Sequence, residues 1–204
     1  MGRLAVAAMA GGAGGIRCES PDDIRAIRAS LPDAVLIGLW KVSLPGFADT
    51  VYITPRSFDA LAVAVAGADI IAVDATLRPH PENKTTAELI CAVKELTAKP
   101  VMADIDTIEA ALAAVDAGAD CVSTTLSGYT ADSPASDTPD FALLERLVSL
   151  RLPLPIFAEG RIHTPEQARR ALDIGAWAVV VGGAITRPQQ ITARFAAALK
   201  GGAA

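Results

Sequence analysis

Ala117-Gly118-Ala119-Asp120-Cys121-Val122-Ser123-Thr124-Thr125 runs from an amphipathic segment, through a glycine, into a short, mostly apolar stretch. A glycine suits the end of a helix because it takes left-handed backbone angles without a Cβ clash. The same junction recurs at Ala66-Gly67-Ala68-Asp69 and at Ile174-Gly175-Ala176-Trp177. Three copies of one helix-to-strand junction indicate repeated βα units, and therefore an α/β chain with a parallel sheet.

The neighbouring segments extend the pattern. Val35 to Trp40, Ile70 to Val73, Val101 to Ile105, Cys121 to Thr125, Ile156 to Ala158 and Val179 to Val181 read as strands, with Ala13 to Cys18 as a weaker one. They are too short for helices and apolar on both faces, as strands covered on both sides must be. Ser20-Pro21, Thr54-Pro55 and Thr164-Pro165 place a hydroxyl cap before a first-turn proline. Thr164 with Gln167, and Asp106 with Glu109, have capping-box spacing. The N-terminal Met1-Gly2-Arg3-Leu4 stretch resembles a leader peptide. It reads better as a helix, because Gly11-Gly12 then falls at its C-cap.

This gives seven strands and eight helices, with a helix first. No GxGxxG follows the first strand, so a dinucleotide-binding sheet has no support. A (β/α)8 barrel needs one more strand, ahead of the first helix. The expectation is a single barrel domain over residues 1–204 that lacks its first strand.

Composition agrees. The 204 residues are 51% hydrophobic, 20% charged and only 4% aromatic. That is too apolar for a disordered chain and suits close helix packing on a buried sheet. The net charge of −5 and the lack of a basic stripe argue against a nucleic-acid partner. No apolar stretch approaches the ~20 residues of a membrane span. Cys18, Cys91 and Cys121 are odd in number and without CxxC spacing, which disfavours disulfides and zinc and suggests a reduced cytoplasm.

Barrel active sites lie at the C-terminal ends of the strands. The polar residues ending the apolar runs are Arg17, Lys41, Asp74, Asp104, Thr124, Thr125, Glu159 with Arg161, and Gly182-Gly183. Lys41 directly follows Leu36-Ile37-Gly38-Leu39-Trp40. A lysine desolvated there serves as acid and base, or as a Schiff-base nucleophile; an ion pair closing the barrel is the plainer reading. Glu159 is placed to orient Lys41 or shuttle a second proton. Asp74 and Asp104 either bind sugar hydroxyls or cap the following helices. Gly182 and Gly183 precede a helix start in the last βα unit, where barrel phosphate sites form, and Gly160 and Arg187 are placed to complete such a site; otherwise the glycines serve only a turn. His80 lies in a rigid loop near the mouth, and His163 beside the Thr164 cap. The stretch Ala131 to Asp140 is a surface loop or a lid.

Several strings resemble one family. They are Gly15-Ile16-Arg17, Ile53-Thr54-Pro55, Ala72-Val73-Asp74-Ala75-Thr76, Met102-Ala103-Asp104-Ile105 and Thr124-Thr125-Leu126-Ser127-Gly128-Tyr129-Thr130. The most specific are Ala158-Glu159-Gly160-Arg161-Ile162-His163-Thr164-Pro165 and Val181-Gly182-Gly183-Ala184-Ile185-Thr186-Arg187-Pro188. In this order, from Leu4 to Leu199, they resemble N-acetylmannosamine-6-phosphate 2-epimerases. The resemblance implies a ribulose-phosphate-binding type of barrel that interconverts N-acetylmannosamine 6-phosphate and N-acetylglucosamine 6-phosphate in sialic acid catabolism. It implies no cofactor, no metal and a homodimer. By it, Lys41 and Glu159 are catalytic, Arg17, Asp74 and Asp104 contact substrate, and Gly160, Gly182, Gly183 and Arg187 bind phosphate. Two departures stand out: the family's first strand, with its substrate-contacting glutamine, is missing, and Trp40 and Leu44 flank Lys41. The first leaves a non-catalytic sugar-phosphate-binding barrel as the competing reading.

Overall fold

The computed structural model describes residues 1–43 and 51–200; Leu44 lies outside them. Seven parallel strands form one sheet: β1 (Ile16–Glu19), β2 (Leu36–Leu39), β5 (Ile70–Asp74), β6 (Val101–Asp104), β7 (Cys121–Ser123), β8 (Ile156–Glu159) and β9 (Ala178–Val180), hydrogen-bonded in that order. The sheet curls into a nearly closed barrel. Among the described residues it stays open between β1 and β9, the two ends of the order.

The helices are α1 (Gly2–Ala10), α2 (Pro21–Ser30), α3 (Ser57–Val65), α4 (Thr86–Thr97), α5 (Ile108–Asp116), α6 (Phe141–Ser149), α7 (Pro165–Ile174), the short α8 (Gly183–Thr186) and α9 (Pro188–Lys200). The short α8 is one more than the sequence reading allowed. A further feature it missed is an antiparallel pair, β3 (Lys41–Ser43) with β4 (Val51–Ile53), which leaves the barrel after β2. Each of these strands has only three residues, too few for a recognisable alternation.

The repeated junction works as its glycines suggest, with φ of 110° at Gly67, 83° at Gly118 and 121° at Gly175. The residue two beyond each glycine then ties back to the strand before. The amides of Asp69, Asp120 and Trp177 donate to the carbonyls of Leu36, Val101 and Ile156 at 2.8–2.9 Å. In the two aspartate copies the carboxylate also accepts the amide of Leu36 or Val101 at 2.8 Å. In the third copy the Trp177 ring packs on Phe157 instead, with centroids 5.1 Å apart.

Ser20 caps α2 by accepting the Asp23 amide, and Thr164 forms the expected capping box with Gln167. Two expected starts are corrected. Thr54 does not cap α3: it has φ 45° and accepts the Trp40 amide at 3.0 Å, closing the β3–β4 excursion. Arg56 is the N-cap of α3. Asp106 does not cap α5 either. Its carboxylate accepts the Thr130 hydroxyl, and Thr107 caps the helix through the Ala110 amide. In both cases the hydroxyl or carboxylate found a partner distant in sequence, which spacing cannot show.

Strand alternation separates two apolar layers. Ile37, Leu39, Ala72, Met102, Cys121 and Phe157 fill the barrel interior, together with Ile53 and Leu126. Leu36, Ile71, Val73, Val101, Ala103, Val122, Ile156 and Ala158 face the helices. Gly38 also faces outward, and space there is tight. A Cβ would stand 2.6 Å from Ala68 Cβ, 2.7 Å from Val63 Cγ1 and 2.9 Å from Ile24 Cδ1. Gly38→Ala is therefore expected to cost about 1–3 kcal/mol through overpacking, read as a lower urea midpoint at unchanged slope.

Candidate active site

The alternation that fills the interior also selects which strand-end side chains look into the barrel mouth. Counting by twos from the interior residues Ala72, Met102, Cys121 and Phe157 gives Asp74, Asp104, Ser123 and Glu159. Arg17 joins them from β1. Its guanidinium donates to Asp104 Oδ2 at 2.6 Å and lies 3.1 Å from Glu159 Oε2. Its side chain is 6% exposed and that of Asp104 is fully buried. Glu159 is 19% exposed and so keeps one side toward solvent.

The electrostatics of this cluster are opposed forces. Burial pulls the Arg17 guanidinium down, but Asp104 and Glu159 more than offset it and hold it protonated. Burial pushes the Glu159 carboxyl above its usual range, and the nearby Asp104 charge adds to this while Arg17 opposes it. Burial likewise pushes Asp104 up against the pull of Arg17. Cys121, one layer below, has its thiol pushed up to about 12 by burial and by Asp104, so it stays a neutral filler.

The segment after β7 is built around Glu159. The Thr124 hydroxyl donates to the Glu159 carbonyl at 2.8 Å and accepts the Glu159 amide at 3.0 Å. Thr125 Oγ1 donates to Asp104 Oδ1 at 2.7 Å and lies 3.1 Å from Glu159 Oε2.

The remaining candidates are dispersed around this centre. Lys41 opens β3, with its ammonium 4.0 Å from Glu19 Oε2 and its side chain 44% exposed. The expected desolvation is absent, because the chain leaves the barrel wall at this residue. Asp74 is fully buried and caps no helix: it accepts from Arg78 at 2.5 Å, from the Thr76 hydroxyl at 2.7 Å and from the Thr76 amide at 3.2 Å. Arg78 in turn lies over the Tyr52 ring, 4.3 Å from its centroid. Asp104 is no helix cap either, being committed to Arg17 and Thr125. The register Glu159↔Val180 sets Gly160 level with the backbone leading to Gly182 and Gly183 at the start of α8, and Arg187 follows that helix. Neither glycine has positive φ, but Gly182 takes φ −97° and ψ −97°, outside the regions open to a residue with a Cβ, so the turn reading stands beside the phosphate one.

Three other expectations change. Arg161 does not face the mouth: it donates to the carbonyls of Thr138 and Ser127 at 2.9 and 2.8 Å and lies over Tyr129. Together with the Ser127–Asp140 and Gly128–Ser133 hydrogen bonds it ties down the loop that was a candidate lid. His80 is buried, with Nε2 3.2 Å from the Thr76 carbonyl and 3.3 Å from Thr86 Oγ1, and burial holds it below its usual pKa. It braces its own loop against Thr76 and Thr86. Glu19 and Ser123 were not anticipated. Both fall on the inward parity of strands whose other members were recognised, and that count would have found them.

A parallel barrel with an arginine and two carboxylates gathered at the C-terminal ends of its strands has the architecture of a TIM-barrel enzyme. Residues 1–201 match the family described as "Putative N-acetylmannosamine-6-phosphate epimerase". A protein of Synechococcus elongatus, named as a putative 2-epimerase for that sugar phosphate, is 48% identical over 183 residues, covering 90% of this chain and 78% of its own. The solved N-acetylmannosamine-6-phosphate 2-epimerase from Clostridium perfringens superposes with a TM-score of 0.90 at 43% identity, over 97% of this chain and 84% of that one. The thiamine phosphate pyrophosphorylase of Pyrococcus furiosus, at 21% identity and TM-score 0.61 over 89% of this chain and 78% of that one, shares the fold alone. The chain belongs to the N-acetylmannosamine-6-phosphate 2-epimerase family. Among the described residues no helix is long and apolar enough to cross a membrane.

Proposed function

We propose that this chain interconverts N-acetylmannosamine 6-phosphate and N-acetylglucosamine 6-phosphate by removing and returning the proton at C2. The observation that carries the reading is the Glu159 carboxyl, held by Arg17 at the barrel mouth and left with one exposed side. Opening the sugar ring exposes an aldehyde, and the C2 proton next to it becomes acidic. Lys41 and Glu159 are the acid–base groups, one taking the proton and one available to the other face. Arg17, with its fixed positive charge, favours the negative charge that develops on the enolate. Asp74 and Asp104, both fully buried, serve the substrate through the groups they hold, Arg78 with Thr76 and Arg17 with Thr125. Gly160, Gly182, Gly183 and Arg187 receive the phosphate, where backbone N–H groups provide positive field in a chain of net charge −5. The reading includes a homodimer in the cytoplasm, the first of which light scattering would verify.

No observation favours a Schiff-base lyase, and borohydride treatment with substrate is expected to leave no adduct on Lys41. In deuterated water, either sugar phosphate is expected to yield the same mixture of the two epimers, with deuterium at C2 of both. Folded protein that leaves C2 protonated and its substrate unconverted would refute the reading and favour a binding protein.

A further inference from the structure

Ser123, Thr124 and Thr125 are consecutive, and all three hydroxyls act on Glu159 or its neighbour. Thr124 grips the Glu159 main chain by both its amide and its carbonyl. Ser123 Oγ stands 2.8 Å from Thr125 Oγ1 and 3.4 Å from Glu159 Oε2. Thr125 Oγ1 stands 2.7 Å from Asp104 Oδ1 and 3.1 Å from Glu159 Oε2. Each hydroxyl has one proton to give and lone pairs to accept with.

The proton count is informative. With Glu159 ionised, Thr125 donates to Asp104 and Ser123 donates to Glu159, so both carboxylates are served. With Glu159 protonated, its own O–H donates to Thr125 Oγ1, and Ser123 turns its proton onto the same oxygen. Neither arrangement moves a heavy atom, and in neither does a hydroxyl gain or lose a proton. The charged groups facing the pair are Arg17 from β1, Asp104 from β6 and Lys41 from β3. We propose that Ser123 and Thr125 are positioning residues that keep the Glu159 carboxyl in one place in both of its protonation states. The proposal rests on the reading of Glu159 as an acid–base group.

The test uses N-acetylmannosamine 6-phosphate as substrate and three variants, each checked for a cooperative melt. Thr125→Val, which keeps the shape and removes the hydroxyl, is expected to lower kcat roughly tenfold to a hundredfold with little change in KM, since a small misplacement of a reacting group has that effect. It should also shift the pH–rate limb belonging to Glu159, because the oxygen that accepts the protonated carboxyl's O–H is gone. Thr125→Ser should restore both. Ser123→Ala carries the same expectation and is read where Thr125→Val does not fold. A folded Thr125→Val with the parent's kcat and pH profile would overturn the proposal, as would a Thr125→Ser as impaired as Thr125→Val. Glu159→Gln separates the two levels: parental turnover there removes the acid–base reading and the proposal with it. An inactive Glu159→Gln beside a parental Thr125→Val removes the proposal alone.

Discussion

Lys41→Met is expected to lower the rate of C2 deuterium exchange by about 10²–10⁴-fold, the range general acid–base catalysis covers, while the protein melts as the parent does. The two halves of this result have different causes. The ammonium is nearly half exposed, and its ion partner Glu19 is 4.0 Å away and similarly exposed. Such surface pairs contribute little to stability. Nothing in the interior rests on the lysine stem either, since β3 stands off the barrel wall. Chemistry is the only property this residue carries alone. Exchange above about a tenth of the parental rate would place the proton transfer elsewhere, at Glu159 with solvent.

Arg17→Met is expected to act on stability as well as on turnover. It removes the guanidinium nitrogens that lie 2.6 Å from Asp104 and 3.1 Å from Glu159 and leaves both carboxyls buried. Breaking a buried pair by removing one partner costs about 3–5 kcal/mol, and here two carboxylates lose their cation. The cost should depend on pH in a definite direction. Both carboxyls already sit above their usual range in the parent because of burial. Without Arg17 they rise further, so the folded variant holds protons that the unfolded chain has released. Its stability deficit is then smallest below about pH 4, where both states are protonated, and grows toward neutrality. Urea unfolding of parent and variant at acid and neutral pH would show this. A deficit independent of pH would mean that the guanidinium acts by packing instead of charge.

Much of this architecture could be read from residues. The Gly-Ala-Asp junctions and the proline-led caps identify βα units because they are local, made within four or five residues. The barrel class followed from counting those units. What failed was what depends on distant partners. Thr54 and Asp106 have the right residue type at the right spacing for caps, yet Trp40 and Thr130 hold them instead. At the mouth, the ends of apolar runs located Arg17, Asp104 and Glu159 correctly on the wall. They did not reveal that the three would bind one another. Lys41 was misjudged as desolvated because an apolar strand before it says nothing about where the chain turns next. Arg161 was misjudged because it follows Glu159 by two residues, which in a continuing strand would place both on one face. Instead Gly160 and Arg161 take φ of 106° and 56°, and the strand ends.

The ties that follow α3, α5 and α7 bear on how the chain reaches this state. The Asp69 and Asp120 carboxylates hold amides only 33 and 19 residues upstream. Every such tie closes one βα unit onto its own predecessor, with no long loop to close first. A barrel is usually regarded as a non-local object, but here most of its wall is stitched from neighbour to neighbour. Short-range stitching of this kind favours rapid folding and allows units to form in succession. In pulsed hydrogen exchange the Leu36 and Val101 amides should gain protection early, each together with the junction that holds it, ahead of amides along the open edges of β1 and β9.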